Sequence, residues 1–564
     1  MMESLKHRGP DSHGILKIAG AGLAHTRLSI LDLSESGNQP MQSADGRYVL
    51  IHNGEIYNYL ELREKLKKFN IQYKGKSDTE TLLHLLIHFG KEILQELNGI
   101  FAFAFYDTES NILLLARDEF GVKPLYYTEN KGVFYFASEI KALISDASIA
   151  TPILNKTDLT EFFMFHFIAG EKTLFKNIYQ VLPGHFIELT EKGKKGGKFI
   201  DFIPKKKSFI QDEKSIIEEI ALLLGNAVKR QKMSDVPVGI MLSGGLDSAG
   251  VAVFSKEYKK NGYCFLDDEK GYNEFDSAEK IAIANNIQLI PVRISEAEIP
   301  SKLQKATLYY DEPLPRPHHL AAFEIARQAS SDGVKVLLTG EGSDELFGGY
   351  GRYIEMQEAY KRDADEEHFL FGNNRVALPA IQKFLQPLQF NTGFRHALNK
   401  STRGYDSINR QLYYDQFTFL SHFLQRSDRM GMAWGLENRV PFLDKELCTF
   451  INSLDGSLKI KNKELKHLLR AAMGNYLPPE IISRPKEPFE MPIAGYMVRG
   501  RLKEMIDDFL LTNPRCSAIL NKSGIESAIQ AMQAESEKPK NAWKMVWLLL
   551  GFEIWMRTFN IHID

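Results

Sequence analysis

The segment Val-Gly-Ile-Met-Leu-Ser-Gly-Gly-Leu-Asp-Ser, which ends at Ser248, constrains the fold of this chain more than any other stretch. An apolar strand runs into a glycine pair and then into a helix, which we expect to extend from Asp247 to about Lys260 and to stop at Asn261-Gly262. The backbone N–H groups of such a turn, together with the positive end of a helix, form a cradle for phosphate oxygens. No Gly-Lys-Ser/Thr closes the turn, so it is not a Walker A loop. The segment therefore predicts a phosphate-binding turn between a strand and a helix that differs from the Walker A loop.

Length and composition are those of a globular protein with several domains. The chain has 564 residues, too many for one hydrophobic core, so we expect about two to four domains. Hydrophobic residues make up 44% and charged residues 25%, and the net charge is −2. This charge gives no reason to expect nucleic acid or an anionic membrane as a partner. The three cysteines, Cys264, Cys448 and Cys516, lack metal-ligand spacing and indicate a reducing compartment.

The sequence contains no recognisable secretion signal or membrane span. Its first residues, Met-Met-Glu-Ser-Leu-Lys-His-Arg, have no apolar core. No apolar run approaches the roughly 20 residues that are needed to cross a bilayer. The nearest run, residues 543–555, contains Glu553 and predicts a packed helix. We therefore expect a soluble, cytoplasmic protein.

Residues 1–190 combine short strands with two helices. Turn residues separate the predicted strands 48–52, 99–107, 112–117 and 132–137. Helices are predicted at 59–69 and 77–89, and the second opens with Ser77-Asp-Thr-Glu80, which is typical of a helix N-cap. This mixture predicts an α+β layered sandwich for the first domain.

The pattern changes after this domain. Residues 191–207 are polar and basic and contain glycines, which favours a solvated hairpin and an interdomain linker over a binding patch, and the linker is predicted over 191–212. From residue 213 strands alternate with helices, and the predicted strands are 236–242, 263–266, 287–294 and 334–339. This alternation predicts an α/β domain over 213–510, with a parallel sheet and catalytic loops at the carboxyl ends of its strands. Beyond residue 350 the chain is largely helical, and residues 511–564 are predicted to form a helical extension.

A second glycine-rich loop follows the last of these strands. Thr-Gly-Glu-Gly-Ser-Asp-Glu places Glu341, Asp344 and Glu345 between glycines. Carboxylates beside a triphosphate hold Mg²⁺, with phosphate oxygens completing the coordination shell. Two loops from parallel strands of one sheet can face each other across a nucleotide, so we predict Asp247 and Asp344 as the metal ligands. Taken alone, a glycine-rich acidic turn is more often an ordinary loop, but about 95 residues after Ser-Gly-Gly-Leu-Asp-Ser it is specific.

With these loops the chain resembles the asparagine synthetase family, whose members form amides with glutamine as nitrogen donor. The similarity includes Glu437-Asn-Arg-Val-Pro-Phe-Leu-Asp444, Lys463-Glu-Leu-Lys466 and Arg484-Pro-Lys-Glu-Pro-Phe-Glu-Met-Pro492. It implies an ATP-pyrophosphatase-like synthetase domain with a helical C-terminal part. It also implies a reaction in which a carboxylate, that of aspartate in the family, attacks ATP to give an acyl-adenylate and pyrophosphate. Ammonia then releases AMP and leaves the amide.

The resemblance assigns roles to individual residues and implies ATP and Mg²⁺ as cofactors. Glu341 would assist proton removal from ammonium, and Lys486 would stabilise the departing pyrophosphate; with Asp247 they are the predicted catalytic residues. The residues implied to contact ATP are Met241, Ser243, Gly244, Gly245, Asp247, Ser248, Phe265, Arg316, Thr339 and Gly340. His318-His319 has no zinc-ligand spacing, which favours a loop or substrate-pocket role.

The first domain resembles the glutamine-hydrolysing module of the same family, an Ntn-hydrolase-like fold. The matching segments are His7-Arg8-Gly9-Pro10-Asp11, Arg27-Leu-Ser-Ile-Leu-Asp32, Asn53-Gly-Glu-Ile-Tyr-Asn58 and Ser77-Asp-Thr-Glu80. Arg27 can bind the glutamine α-carboxylate through a bidentate fork, and Asp78 can pair with the α-ammonium. Asn53 and Gly54 would donate to an oxyanion, and Glu55 completes the predicted glutamine site.

Family members carry a catalytic cysteine directly after the initiator methionine, whose thiolate attacks the glutamine amide. This chain begins Met-Met-Glu-Ser, so the domain is truncated relative to the family pattern. Either the first residue is an internal methionine of a longer protein, or glutaminase activity is lost and free ammonia is the donor. Retention of the whole glutamine-binding set favours the first explanation.

The identity of the acceptor carboxylate stays open at this point. The segments Tyr-Cys-Phe-Leu-Asp (263–267) and Asp-Glu-Pro-Leu-Pro-Arg-Pro-His-His (311–319) depart from the family pattern, so amidation of another acid, such as a sugar acid of a surface polysaccharide, is the runner-up. A non-catalytic nucleotide-binding paralogue is a third reading. The expected partners are small molecules: ATP, aspartate or another carboxylate, and glutamine or ammonia. A homodimer is possible by analogy with relatives.

Overall fold

The computed structural model describes residues 1–18, 20–202, 212–256, 260–266, 274–360, 376–388, 392–485, 491, 493–534 and 542–564. Within them the strands are β1 Ser12–Ile18, β2 Ala21–Arg27, β3 Met41–Gln42, β4 Tyr48–Ile56, β5 Gly99–Asp107, β6 Ile112–Arg117, β7 Tyr126–Asn130, β8 Val133–Ala137, β9 Tyr179–Gln180, β10 His185–Thr190, β11 Gly193–Lys198, β12 Val238–Met241, β13 Lys260–Phe265, β14 Ile287–Val292, β15 Val336–Leu338 and β16 Glu437–Arg439.

The helices of the first half and of the parallel-sheet region come first along the chain. They are α1 Tyr59–Leu66, α2 Asp78–Phe89, α3 Ile140–Leu143, α4 Leu159–Phe165, α5 Glu213–Gln231, α6 Leu246–Val253, α7 Glu274–Ala284, α8 Ile299–Tyr310, α9 His318–Ser331 and α10 Ser343–Phe347. The later helices are α11 Arg352–Tyr360, α12 Leu378–Ile381, α13 Gly393–Ser401, α14 Ser407–Phe417, α15 Phe419–Met432, α16 Lys445–Asn452, α17 Gly456–Lys459, α18 His467–Met473, α19 Pro479–Ile482, α20 Ala494–Met497, α21 Gly500–Ile506, α22 Lys522–Ala534 and α23 Ala542–Thr558.

The first half is rich in antiparallel sheet. Six strands are ordered β11-β10-β6-β5-β4-β3, and smaller sheets are formed by β1-β2 and by β8-β7-β9. Helices α1 and α2 pack on one face of the large sheet, with Leu82 and Leu86 against Phe101 and Phe103. As predicted, Ser77 caps α2 by accepting a hydrogen bond from the Glu80 backbone N–H. The predicted mixture of strands and helices is confirmed.

The second half contains the predicted parallel sheet, in the order β14-β13-β12-β15-β16. Strands β12, β14 and β15 are shorter than the predicted runs, because only part of each run pairs with a neighbour, whereas β13 begins three residues before its predicted start. The prediction for α6 was wrong at its C-terminal end. The helix ends at Val253, and the chain is already extended in β13 from Lys260, since Asn261 and Gly262 pair with β14.

The packing shows how two of the predicted segments are used. Strand β11 lies in the segment predicted as a hairpin and linker, and it forms a hairpin with β10 at the edge of the first sheet. The predicted helical extension 511–564 packs closely against the rest of the chain. Trp547 and Trp555 of α23 are 0–1% exposed and share one apolar core with Phe162 and Phe163 of the first half. None of the helices in the described ranges has the length and apolar character that crossing a membrane requires.

Buried ion pairs join the two halves. The carboxylate of Glu139, from the first half, is fully buried. Its Oε1 lies 2.8 Å from Arg8 and 2.9 Å from Arg429 of α15, and its Oε2 contacts Lys141. Burial alone would raise the pKa of Glu139, but Lys141 and Arg429 beside it hold that pKa well below its ordinary value. A buried charge of this kind is stable only while its partners stay in place.

We expect Glu139→Gln to lower the free energy of unfolding by about 3–5 kcal/mol, because three buried cations lose a shared counter-charge. The depressed pKa means that this stabilisation is present above the ordinary glutamate pKa of 4.5 and is lost as the pH falls through the folded value. Urea titrations at several pH values measure both effects. Glu96→Gln, which removes a half-exposed pair with Lys65, is the control and should cost below about 1 kcal/mol. Equal losses in the two variants would contradict the structural role of Glu139.

Candidate active site at the ends of two parallel strands

Two strand-end loops meet at the carboxyl edge of the parallel sheet. The glycine loop (residues 242–248) follows β12, and the acidic loop (residues 339–345) follows the neighbouring strand β15. A Cβ added at Gly340 would lie 2.8 Å from the Cβ of Asp247 and 2.9 Å from the amide nitrogen of Ser248. The Ser343 hydroxyl donates a hydrogen bond of 2.8 Å to Asp247 Oδ1. The two loops are in direct contact.

Internal hydrogen bonds fix the shape of the glycine loop. The hydroxyl of Ser248 accepts a hydrogen bond of 3.1 Å from the Ser243 backbone N–H. Gly244 has a φ of +68°, and a Cβ there would lie 2.6 Å from the carbonyl oxygen of Glu274, so only glycine fits. Gly245 is the N-cap of α6, a helix of eight residues. The loop therefore leads into a helix N-terminus, where phosphate oxygens bind favourably.

Asp247 and Asp344 lie within contact distance of one cation. The ammonium of Lys466 is 2.5 Å from Asp247 Oδ1 and 2.6 Å from Asp344 Oδ1. One positive charge thus bridges both carboxylates, which is the placement that Mg²⁺ needs from two protein ligands. Within the described part of the chain, no group of three or more His, Cys, Asp or Glu side chains could hold a metal by itself. The pair fits a metal that shares its coordination shell with phosphate oxygens.

A cavity of about 1130 Å³ opens in front of the two loops. Most of the predicted nucleotide and metal residues line it: Met241, Ser243, Asp247, Ser248, Phe265, Arg316, Thr339, Gly340, Glu341 and Asp344. Gly244 and Gly245 belong to the glycine loop itself but are not part of this wall. Lys486, the lysine predicted to contact pyrophosphate, lies outside the described residues.

Glu341 lines this cavity, and one of its two carboxylate oxygens already accepts a hydrogen bond. Arg426 Nη2 donates a hydrogen bond of 2.5 Å to Glu341 Oε1, and both side chains are largely buried. The second oxygen, Oε2, is buried and has no hydrogen-bond partner among the described residues. A carboxylate that is held at one oxygen and uncommitted at the other is suited to accept a proton from a bound substrate.

Sequence reasoning missed two cations of this site. Lys466 belongs to a motif that we matched to the family, but the motif by itself indicates no contact with Asp247. Arg426 lies in α15 without any local signal, and only the fold brings it to Glu341. Arg484, named beside Lys486, does reach the site, since its Nη1 lies 3.3 Å from the Gly244 carbonyl oxygen, to which it donates a hydrogen bond.

The two adjacent histidines lie at the start of α9. His318 lines the large cavity, and His319 packs behind it against Tyr310. Burial, with a smaller effect of Arg426, lowers the pKa of His318 well below its ordinary value, and burial does the same for His319. Both imidazoles are therefore neutral near pH 7. Their position agrees with the predicted substrate-pocket role.

A second cavity, of about 250 Å³, lies in the first half. Its walls contain all five residues predicted to bind glutamine: Arg27, Asn53, Gly54, Glu55 and Asp78. The guanidinium of Arg27 donates to the carbonyl oxygen of Ser34 at 2.8 Å and to that of Leu31 at 3.3 Å, so the neighbouring loop fixes its position. Gly54 has a φ of +131° and no room for a Cβ beside Ile100.

Two carboxylates in this second cavity favour a cationic ligand. Burial raises the pKa of Asp78 to about 6, although hydrogen bonds from the backbone N–H groups of Ile56 and Thr79 act to lower it. Burial and the neighbouring Asp78 raise the pKa of Glu55 well above its ordinary value. Arg439 of the parallel sheet lies 3.5 Å from Glu55 and offsets part of this effect. An ammonium group entering the cavity would stabilise the ionised carboxylates.

We expect Gly340→Ala to weaken the binding of Mg²⁺-ATP at least about tenfold, because a methyl group at 2.8 Å from Asp247 must push the two loops apart. Gly351→Ala is the matched control, since Gly351 lines the same cavity and nothing lies within 4 Å of the position of its Cβ. Isothermal titration calorimetry measures both affinities. Equal affinity in the two variants would show that the loop contact does not matter for the nucleotide.

Comparison with known proteins finds a matching family model for each half of the chain. The asparagine synthase family model matches residues 219–557, and the glutamine amidotransferase domain model matches residues 1–200. Asparagine synthetase (glutamine-hydrolyzing) 1 of Bacillus subtilis is 32% identical over 100% of this chain and 93% of its own length. Asparagine synthetase (glutamine-hydrolyzing) 3 of the same organism is 31% identical, with 100% and 96% covered. Amidase chyE of Penicillium rubens is 28% identical, with 90% and 86% covered.

These matches extend over both cavities and include both strand-end loops. The resemblance inferred from the sequence motifs is confirmed. The chain belongs to the asparagine synthase family, and it is an asparagine synthetase-like ligase with a glutamine amidotransferase domain.

Proposed function

We propose that this protein makes asparagine from aspartate, ATP and ammonia through an aspartyl-adenylate, with AMP and pyrophosphate as the other products. Glutamine is the proposed source of the ammonia. The observation that carries the proposal is the contact between the glycine loop and the acidic loop, which brings Asp247, Asp344 and Glu341 to one cavity. The names of the relatives from Bacillus subtilis point to the same reaction.

Adenylation solves a chemical problem of amide formation. A free carboxylate is a poor acyl donor because ammonia would have to displace an oxide-like leaving group. When a carboxylate oxygen attacks the α-phosphorus of ATP, the bond to the β-phosphate bridging oxygen breaks and pyrophosphate leaves. Ammonia then attacks the acyl carbon, the carbon–oxygen bond breaks, and AMP departs with that oxygen. These steps require positioning and neutralisation of phosphate charge rather than a protein nucleophile.

The glycine loop is suited to bind the pyrophosphate end of ATP. Its backbone and the N-terminus of α6 supply N–H donors, with Ser243 and Ser248 beside them. Asp247 and Asp344 would hold Mg²⁺, which supplies positive charge to the phosphate oxygens when it is bound. Met241 and Phe265, at the ends of neighbouring strands, would contact adenine. Thr339 and Gly340 would approach the nucleotide from the acidic loop.

Glu341 is the proposed acceptor of the proton that ammonium loses when it becomes the attacking ammonia. Its Oε1 is held by Arg426, so Oε2 keeps a defined position in the cavity. Ammonium must lose a proton before ammonia can attack the acyl carbon, and a fixed carboxylate nearby can receive it. Arg316 and Arg484 add positive charge at the same cavity or beside its glycine loop. Lys486 is proposed to act on the departing pyrophosphate.

The smaller cavity is the proposed glutamine site. Arg27 would bind the α-carboxylate, and Asp78 with Glu55 would bind the α-ammonium. Asn53 and Gly54 would donate hydrogen bonds to the oxyanion that forms at the side-chain amide. The raised pKa values of Asp78 and Glu55 support this assignment, because both carboxylates gain stability from a cation.

Pyrophosphate release tests the proposal. With ATP, Mg²⁺, ammonium and aspartate, the wild-type chain should release pyrophosphate and AMP in equal amounts, and omission of aspartate should stop it. We expect Asp247→Ala to reduce the rate about a hundredfold or more, because the metal loses one of its two protein ligands. Asp508→Ala, at an exposed aspartate of the C-terminal region, is the control and should keep the wild-type rate. Retention of most activity in Asp247→Ala would refute the metal role, and release independent of aspartate would refute the acceptor.

A further inference from the structure

Lys466 occupies an unusual position for a lysine. Its side chain is only 5% exposed, and its ammonium contacts Asp247 and Asp344 at 2.5 and 2.6 Å. These are the two carboxylates that we propose as metal ligands. Lysine is rarely buried unless it is paired, so the contact with both acids accounts for its burial.

The backbone around Lys466 is shaped for this contact. Lys466 has a φ of +56°, a left-handed conformation that a side chain with a Cβ adopts at a cost, and it is the N-cap of α18. Opposite it lies Gly349, where a Cβ would be 2.3 Å from Lys466 Cε and 1.9 Å from Asp344 Oδ1. The lack of a side chain at Gly349 thus leaves room for the side chain of Lys466, whose own backbone is strained.

The ammonium of Lys466 and a Mg²⁺ ion compete for the same carboxylate oxygens. A divalent ion bound to Asp247 and Asp344 would place its charge within a few ångströms of the ammonium, in a largely buried site where such repulsion is strong. The lysine must therefore leave the carboxylates when the metal arrives. A lysine side chain is long and flexible enough to swing onto another anion.

We propose that Lys466 is an internal substitute for the metal: its ammonium offsets part of the charge of Asp247 and Asp344 in the nucleotide-free enzyme and transfers to the phosphates when Mg²⁺-ATP binds. The proposal rests on the proposed function in taking these aspartates as the metal ligands. Its consequence is that Mg²⁺ alone binds poorly, because it has to displace the ammonium from both carboxylates. The phosphates of ATP offer the displaced ammonium a new anion, so metal and nucleotide enter together.

Binding of Mg²⁺ without nucleotide tests the exchange. We expect Lys466→Met to bind Mg²⁺ about tenfold more tightly than the wild-type chain, because the competing charge is gone. The same variant should bind Mg²⁺-ATP about tenfold more weakly, because the phosphates lose a cation. Lys461→Met is the matched control, since Lys461 pairs with the carboxylate of Glu213 instead. Calorimetry with MgCl₂ alone and with Mg²⁺-ATP gives both affinities.

Opposite shifts in the two affinities support the exchange, and a merely structural role of Lys466 would weaken both. The proposal is overturned if Mg²⁺ alone binds the wild type and Lys466→Met equally, or binds the variant more weakly. Lys466→Gln, which keeps the polar side chain, is measured in parallel in case the methionine variant does not fold. If Mg²⁺ alone binds Lys466→Met tightly but no pyrophosphate is released by the wild type, the exchange stands and the proposed reaction fails.

Discussion

The edge strand of the parallel sheet, β16, carries charges that help to fix the two halves of this molecule against each other. Arg439 is fully buried, and its guanidinium lies 2.8 Å from Glu437 and 3.5 Å from Glu55 of the smaller cavity. The second carboxylate oxygen of Glu437 lies 2.9 Å from Lys123 of the first half. Removing one of these partners in the folded molecule would leave a buried charge uncompensated, at a cost of about 3–5 kcal/mol. These ion pairs, together with the apolar core that both halves share, hold the two cavities in place relative to each other.

The same strand reaches the nucleotide side through its backbone. The carbonyl oxygen of Arg439 accepts a hydrogen bond of 2.9 Å from the Thr339 N–H, where the acidic loop begins. One residue thus contacts Glu55 with its side chain and the acidic loop with its main chain. At the acidic loop, Ser343 and Gly340 contact Asp247 of the glycine loop. A change of position in either cavity must be accommodated at Arg439, which makes this edge of the sheet a rigid connection between the two cavities.

Much of the site could be predicted from sequence because its chemistry is local. Each strand-end loop carries its glycines and acids within a few residues, and Ser77 is a typical N-cap residue directly before the helix that begins at Asp78. The contacts that complete the site could not be predicted this way. Lys466 and Arg426 reach Asp247 and Glu341 from distant helices, and no spacing rule connects them. Strand β16 has three residues without an apolar alternation, so only its pairing with β15 defines it. The polar strand β11 also lacks an apolar alternation, so the sequence indicated a solvated hairpin and linker there without giving the bounds of the strand.

The central claim is that the carboxylate of an acceptor attacks ATP at the contact between the two loops. The most direct measurement follows an oxygen atom. Aspartate labelled with oxygen-18 in its side-chain carboxylate is incubated with the protein, Mg²⁺-ATP and ammonium, and the AMP formed is analysed by mass spectrometry. The account predicts that each AMP carries one labelled oxygen from aspartate. Unlabelled AMP, or labelled inorganic phosphate together with ADP, would contradict it.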